Sequence, residues 1–249
     1  MTTSAELLPE GFLEGPAPNI TMARIDFSKS VLPGYAGLYA AILDGVLSEE
    51  ECKTLTEAAE AQANGNWERA MVNVGGGRQV MATDIRNCGR IIWDSPEMVA
   101  KLWARIEPLV PELQELKNRE AITGIAGRTG GGDSKWLLSR LNERMRFLKY
   151  TRGEYFQAHR DGSYVTDDGS ERSWFTLHLY LNDSTSDPND PLEGGATRFH
   201  DLRYRNQLDV VPKIGRVLLF QHAHLIHSGA DVVGGTKLTM RTDIMYRMG

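Results

Sequence analysis

Met145-Arg-Phe-Leu-Lys-Tyr150-Thr-Arg-Gly153-Glu-Tyr-Phe-Gln-Ala-His159-Arg-Asp161 is the stretch that decides the fold. Two short runs of β-type residues, Met145–Tyr150 and Tyr155–Ala158, flank the turn residue Gly153, which reads as strand, turn and strand. At the end of the second strand, residues two apart project to one face. His159 and Asp161 therefore converge while Arg160 points away. The same texture continues downstream. Trp174–Leu181, Ala196–Phe199, Leu208–Val211, Arg216–Phe220 and Lys237–Tyr246 read as strands. Gly162, Asn182, residues 187–191, Gly194-Gly195, Gly215 and Gly234-Gly235 punctuate them. Many short strands at near-regular spacing argue for a sandwich or barrel.

Upstream the periodicity changes. Gly37–Leu43 reads as a strand, and Ser48-Glu-Glu-Glu51 then has the chemistry of a helix start, a Ser cap with Glu three residues on. Leu55, Ala58 and Ala59 follow at helical spacing. A second helix is expected over Ser95–Glu107. Pro96 suits its first turn, Met98, Leu102 and Ile106 share a face, and Pro108 stops it. Between the helices lies a segment with a glycine turn, Gly75-Gly-Gly77, and three basic residues, Arg78, Arg86 and Arg90. Residues 1–35, rich in Pro and Gly, read as an arm that wraps the core or stays mobile. Helices first and strands later imply an α+β domain over 36–249, with a helical and β support (36–141) and a β core (142–249).

Composition narrows the function. A net charge of -5 over 249 residues is unlike a general phosphate binder, so a nucleic-acid partner is not expected. Cys52 and Cys88 have no paired spacing and read as reduced thiols. Glu6, Glu10 and Glu14 occupy an N-terminus without a basic region, and no apolar run is long enough to span a bilayer. A cytoplasmic protein without membrane association is the expectation.

All six histidines lie between positions 159 and 227. A third ligand from a distant strand would complete, with His159 and Asp161, two imidazoles and a carboxylate on one face of an octahedron. That arrangement leaves three positions open and is associated with non-haem Fe(II) oxygenases. A chelating 2-oxo acid takes two of them and dioxygen the third. His222, His224 and His227 compete for the third ligand place.

The context of the motif is more specific than the motif. Lys149-Tyr-Thr-Arg-Gly-Glu-Tyr-Phe156 precedes it, and Thr176-Leu-His-Leu-Tyr-Leu-Asn182 and Glu193-Gly-Gly-Ala-Thr-Arg-Phe199 follow. Pro212-Lys-Ile-Gly-Arg-Val-Leu-Leu-Phe220 and His227-Ser-Gly-Ala-Asp-Val-Val-Gly-Gly-Thr-Lys237 complete the block. In this order and spacing it resembles the Fe(II)/2-oxoglutarate dioxygenase domain of the prolyl 4-hydroxylase-like family over about residues 142–247. Val46-Leu-Ser-Glu-Glu-Glu-Cys52 is similar to that family's first helix start.

The resemblance implies a double-stranded β-helix (jelly-roll) core buttressed by N-terminal helices. It implies iron held by His159, Asp161 and His227, with 2-oxoglutarate and dioxygen as co-substrates and ascorbate in support. Lys237 would pair with the distal carboxylate of 2-oxoglutarate, and Tyr180 would hydrogen-bond it. Tyr150 is a second candidate for a polar contact. Arg241 shares the face of Lys237 and Thr239 by strand alternation, so two cations look inward and either can hold the carboxylate. Spacing favours Lys237. His178, two residues before Tyr180, can face the same interior and touch substrate or cofactor, but reads first as a histidine satisfied within the sheet, and His200 reads as a surface residue. The activity implied is hydroxylation of an unactivated C–H bond, with release of succinate and CO2. A small-molecule or amino-acid-like substrate is expected, with Arg78, Arg86 and the Gly162–Arg172 loop as candidate contacts. A protein prolyl or side-chain hydroxylase, a non-catalytic 2-oxoglutarate sensor and a zinc hydrolase are the rival readings.

Overall fold

Alternation along two long strands builds the core. In Glu171–Tyr180, Leu177 and Leu179 point to one side while Thr176, His178 and Tyr180 point to the other. In Lys237–Met248, Met240, Ile244 and Tyr246 take the first side and Lys237, Thr239, Arg241 and Asp243 the second. The register places Thr176 opposite Asp243, His178 opposite Arg241 and Tyr180 opposite Thr239. The structure is a computed structural model that describes residues 7–15, 19–73, 78–117, 120–123 and 135–249. The Gly75-Gly-Gly77 turn lies outside the described residues.

Two antiparallel sheets carry the described chain. The larger runs Thr21–Arg24, Ala40–Asp44, Val217–Gln221, Glu171–Tyr180, Lys237–Met248, Arg144–Tyr150, Gly89–Asp94 and Glu68–Arg69. Lys135–Leu141, itself paired with Glu115–Lys117, extends it along the far half of Lys237–Met248. The smaller sheet runs Gln207–Val210, Thr197–His200, His227–Gly229, Tyr155–His159 and Arg86–Asn87. Tyr180, Leu218 and Phe220 from the larger sheet meet Phe199 and Val210 from the smaller in one buried cluster.

The other face of the larger sheet is closed by two helices, Glu49–Gln62 and Pro96–Ile106, through Leu55, Ala59, Leu102 and Ile106. Both begin as expected. Ser48 Oγ accepts from Glu51 N (3.1 Å) while the Glu51 carboxylate accepts from Ser48 N (2.8 Å). Ser95 Oγ accepts from Met98 N (3.3 Å). Glu51 also holds Arg105 in two hydrogen bonds of 2.7 and 2.9 Å, so the first helix cap ties the helices together. Ala40–Asp44, Gly89–Asp94 and Lys135–Leu141 show that strands from before residue 142 share the larger sheet with those after it.

Residues 19–35 wrap the core. Thr21–Arg24 pairs with Ala40–Asp44, and Phe27, Leu32 and Tyr35 are buried in the inter-sheet cluster. Among the described residues, no helix is long and apolar enough to cross a membrane.

Candidate active site

The strands Tyr155–His159 and His227–Gly229 are antiparallel neighbours, and His159 stands directly opposite His227. A register shift between Phe156 and His159 aims the end of the first strand into the space between the sheets. Asp161 follows two residues on, its side chain 3% exposed. One ligand atom from each of His159, Asp161 and His227 lies within 4.8 Å of the other two. Nε2 of His159 is 3.4 Å from one Asp161 oxygen, and Nε2 of His227 is 3.7 Å from the other.

Neighbouring groups orient these three. Nδ1 of His159 faces the Gln157 carbonyl at 2.8 Å, and Nδ1 of His227 faces the Leu225 carbonyl at 3.4 Å. With a proton on each Nδ1, both Nε2 lone pairs are directed at the space beside Asp161. Phe156 stacks on His159 at 3.7 Å between ring centres, and Phe220 meets His227 edge-on at 4.6 Å. Thr176 Oγ1 donates to Asp161 at 2.5 Å, and an Arg241 Nη lies 3.2 Å from its other oxygen. Burial alone would raise the Asp161 carboxyl. The charge of Arg241, then His227 and His159, outweighs burial and holds the carboxyl well below the ordinary range. Burial, then the adjacent His159, pushes the His227 imidazole down to about 3. Asp161 is thus held as a carboxylate and His227 as a neutral imidazole, the protonation states a divalent cation needs. His222 and His224 stand apart from it: His222 is buried with Nε2 3.6 Å from Asp243, and His224 is exposed at positive φ.

The interior face of Lys237–Met248 places the two rival cations differently. Arg241 is held by two carboxylates, Asp161 and Asp243, each at 3.2 Å, and by Thr176 at 3.3 Å, with its Nε left without a partner. Lys237 is 2% exposed, and no carboxylate pairs with it among the described residues. Its Nζ lies 5.2 Å from the Tyr150 ring centre and 5.8 Å from that of Tyr180. Burial pushes its ammonium down to about 8. Gly195, at φ +69°, leaves room for it, since a Cβ there would come within 3.1 Å of Lys237 Cδ.

One narrow cavity connects the triad with Lys237. Tyr150, Arg86 and Thr197 line it as well. Tyr180 does not: its hydroxyl is 2.6 Å from Thr197 Oγ1, so the threonine, not the tyrosine, reaches the wall. His178 corrects its expectation. It lines the cavity and its Nε2 is buried without a hydrogen-bond partner. Burial, then Lys237 and Arg241, hold its pKa far below the usual value. His200 is half-buried, its Nε2 2.8 Å from Ser228 Oγ. Arg78 is exposed. Thr176, Asp243 and Arg146 were not singled out from sequence, because their partners lie across strands and only register brings them together.

An unpaired buried lysine, an orphaned imidazole nitrogen and an orphaned Thr239 hydroxyl on one interior face are what an absent dicarboxylate would satisfy. The residues present therefore fit both a divalent metal and a 2-oxo acid.

Residues 145–242 match the family model described as the 2OG-Fe(II) oxygenase superfamily. No curated protein sequence matches the chain. Solved structures similar in fold include three prolyl hydroxylases. A Pseudomonas putida prolyl-4-hydroxylase is 18% identical over 88% of this chain and 98% of that one, with a TM-score of 0.54. The viral collagen prolyl hydroxylase of Paramecium Bursaria Chlorella virus-1, in its 2OG complex, is 19% identical over 85% and 97%, with a TM-score of 0.52. A Trichoplax adhaerens prolyl hydroxylase in complex with a hypoxia inducible factor peptide fragment is 17% identical over 88% of each chain, with a TM-score of 0.53. The shared architecture is the double-stranded β-helix.

Proposed function

We propose that this chain, whose residues 145–242 match the 2OG-Fe(II) oxygenase superfamily model, is an iron(II)- and 2-oxoglutarate-dependent dioxygenase that hydroxylates an unactivated C–H bond of a small, amino-acid-like substrate. One observation carries the reading: the His159, Asp161, His227 face and the unpaired Lys237 open onto a single cavity.

Bound iron and 2-oxoglutarate supply the oxidising chemistry, in which dioxygen is consumed and succinate and CO2 are released. The protein orients and shields. His159 and His227 would offer Nε2 to the metal and Asp161 one carboxylate oxygen. Thr176 and Arg241 hold that carboxylate in place and ionised. Lys237 would take the distal carboxylate, since Arg241 is already committed to Asp161 and Asp243. Tyr150 and Tyr180 flank the lysine, their ring centres 5.2 and 5.8 Å from Nζ, and the Tyr180 hydroxyl holds Thr197 at the cavity wall. Phe156 and Phe220 are the apolar faces beside the imidazoles.

The test has two stages. Adding 2-oxoglutarate to the anaerobic Fe(II) protein should produce a visible charge-transfer band, which a zinc hydrolase or a metal-free sensor would not give. A screen of free amino acids against peptides, followed by dioxygen-dependent succinate release, should then show stimulation by the former. Stimulation by peptides alone would replace the small-molecule reading with a protein hydroxylase.

A further inference from the structure

Arg86 and Arg90 are buried arginines, 8% and 5% exposed, and each has an Nε atom with no hydrogen-bond partner. No carboxylate pairs with Arg86 among the described residues. The one near Arg90 is Glu68, 3.9 Å away and itself 65% exposed. Arg86 lines the cavity and lies over the Phe156 ring, 4.6 Å from its centre, with that ring stacked on His159. Arg90 stands opposite Leu148, which lines the same cavity, and Leu148 stands opposite Thr239. Both strand neighbours of Leu148 on this face, Arg146 and Tyr150, sit beside Arg241 and Lys237.

The local charge is lopsided. Three cations, Arg86, Lys237 and Arg241, line the cavity, and Arg90 and Arg146 lie on the strands beside it, against two buried carboxylates, Asp161 and Asp243. Iron(II) and the 2-oxoglutarate dianion cancel each other's charge, so the excess persists with both bound. Burying an arginine without an anion, as at Arg86, is costly, and a structure that keeps it is poised for one. Arg146 is partly neutralised by Asp243 at 3.3 Å, which leaves Arg86 without a carboxylate among the described residues and Arg90 with only the exposed Glu68 at 3.9 Å and the neutral Gln79 at 3.2 Å.

We infer that the Arg86–Arg90 pair receives a carboxylate of the prime substrate, which is therefore a small organic acid, such as a free amino acid or a dicarboxylic acid. This deepens the oxygenase reading of the same cavity and rests on it. A guanidinium at the wall, seated on the aromatic that packs against a metal ligand, would anchor the acid with its carbon chain directed at the metal. Arg86 makes the contact, and Arg90 acts as the charge behind it.

The probes are free amino acids and C4–C6 dicarboxylic acids, each paired with its amide. They are assayed by thermal shift on the protein loaded with Mn(II) and 2-oxoglutarate, with the uncoupled succinate release of the Fe(II) enzyme measured in parallel. At least one acid should raise the melting temperature where its amide does not. Arg86→Met should weaken that acid at least about tenfold, and Arg90→Met should weaken it less. The melting temperature of the ligand-free Arg86→Met protein should be unchanged or higher, because an unmatched buried charge has been removed, whereas a purely structural arginine would lower it. Amides that bind as well as acids, an acid shift that survives both substitutions, or no acid-specific shift across the panel would overturn the proposal. Absence of uncoupled succinate release would instead remove the oxygenase reading beneath it.

Discussion

Lys237 concentrates the tension between stability and function in one side chain. Its ammonium is buried between two tyrosine rings with no anion, and burial lowers its pKa to about 8 from the ordinary 10.5. A base whose folded pKa is depressed binds its proton less well when folded, so protonation works against the fold. The cost is fully present below pH 8 and disappears as pH rises past 10.5. Lys237→Met should therefore stabilise the ligand-free protein at pH 7 by up to about 3 kcal/mol, with the gain shrinking as the pH approaches 10, as followed by denaturant titration. The same variant should lose 2-oxoglutarate binding. In the wild type, 2-oxoglutarate affinity should be level below pH 8 and fall above it, as the lysine loses the charge that receives the carboxylate. A gain in stability unaccompanied by loss of the co-substrate would place the distal carboxylate elsewhere. Thr176 gives a second check: Thr176→Val deletes the 2.5 Å bond to Asp161 and should weaken Mn(II) binding on the order of tenfold. At this scale the triad was legible because His159 and Asp161 follow local alternation and the block around His227 is distinctive. Spacing favours Lys237 over Arg241 in the sequence, but what engages Arg241 is not legible there. Asp161, Thr176 and Asp243 reach Arg241 only through strand register.

Elements with local signals were read with little error, and those built by pairing alone were missed. Both helix starts follow from a Ser cap and its partners a few residues on, so their chemistry lies within one turn. Lys135–Leu141 and Gly89–Asp94 carry Lys135, Arg140 and Arg90 within their spans and show no clean alternation, since each strand lies between two neighbours. His227–Gly229 is three residues long and exists because Tyr155–His159 and Thr197–His200 flank it. The turn at Gly215 was expected, but its severity is a tertiary fact. At φ +71° its backbone N donates to Tyr180 O and its carbonyl accepts from Val46 N, each at 3.0 Å, and a Cβ would lie 1.9 Å from Leu47 O. Gly215→Ala should cost more than the 1 kcal/mol or so of a left-handed residue alone, because the backbone contact must also open. A chemical-denaturation midpoint within error of wild type would mean that the loop beside Leu47 yields freely.

At the scale of the molecule, the active site is supported from a part of the chain far from it in sequence. Phe27, 1% exposed, meets Tyr35 and Phe199 edge-on at 5.7 and 5.8 Å. Phe199 meets Phe220 at 5.6 Å, and Phe220 lies against the His227 ring at 4.6 Å. Tyr35 adds a hydrogen bond of 2.5 Å to the His200 carbonyl, on the strand that pairs with His227–Gly229. A segment whose prolines and glycines suggested an arm is thus a wedge between the sheets, and the aromatic chain from Phe27 ends on a candidate metal ligand. Truncating a fully packed phenylalanine removes its transfer energy and leaves a cavity, typically 3–5 kcal/mol together. Phe27→Ala should fall in that range by denaturant titration. It should also loosen Mn(II) binding, because Phe220 and His227 lose the packing behind them, whereas Leu55→Ala, on the far face of the larger sheet, should match the stability loss without the metal effect. Equal metal affinity in the two variants would show that the wedge supports the fold without bearing on the site.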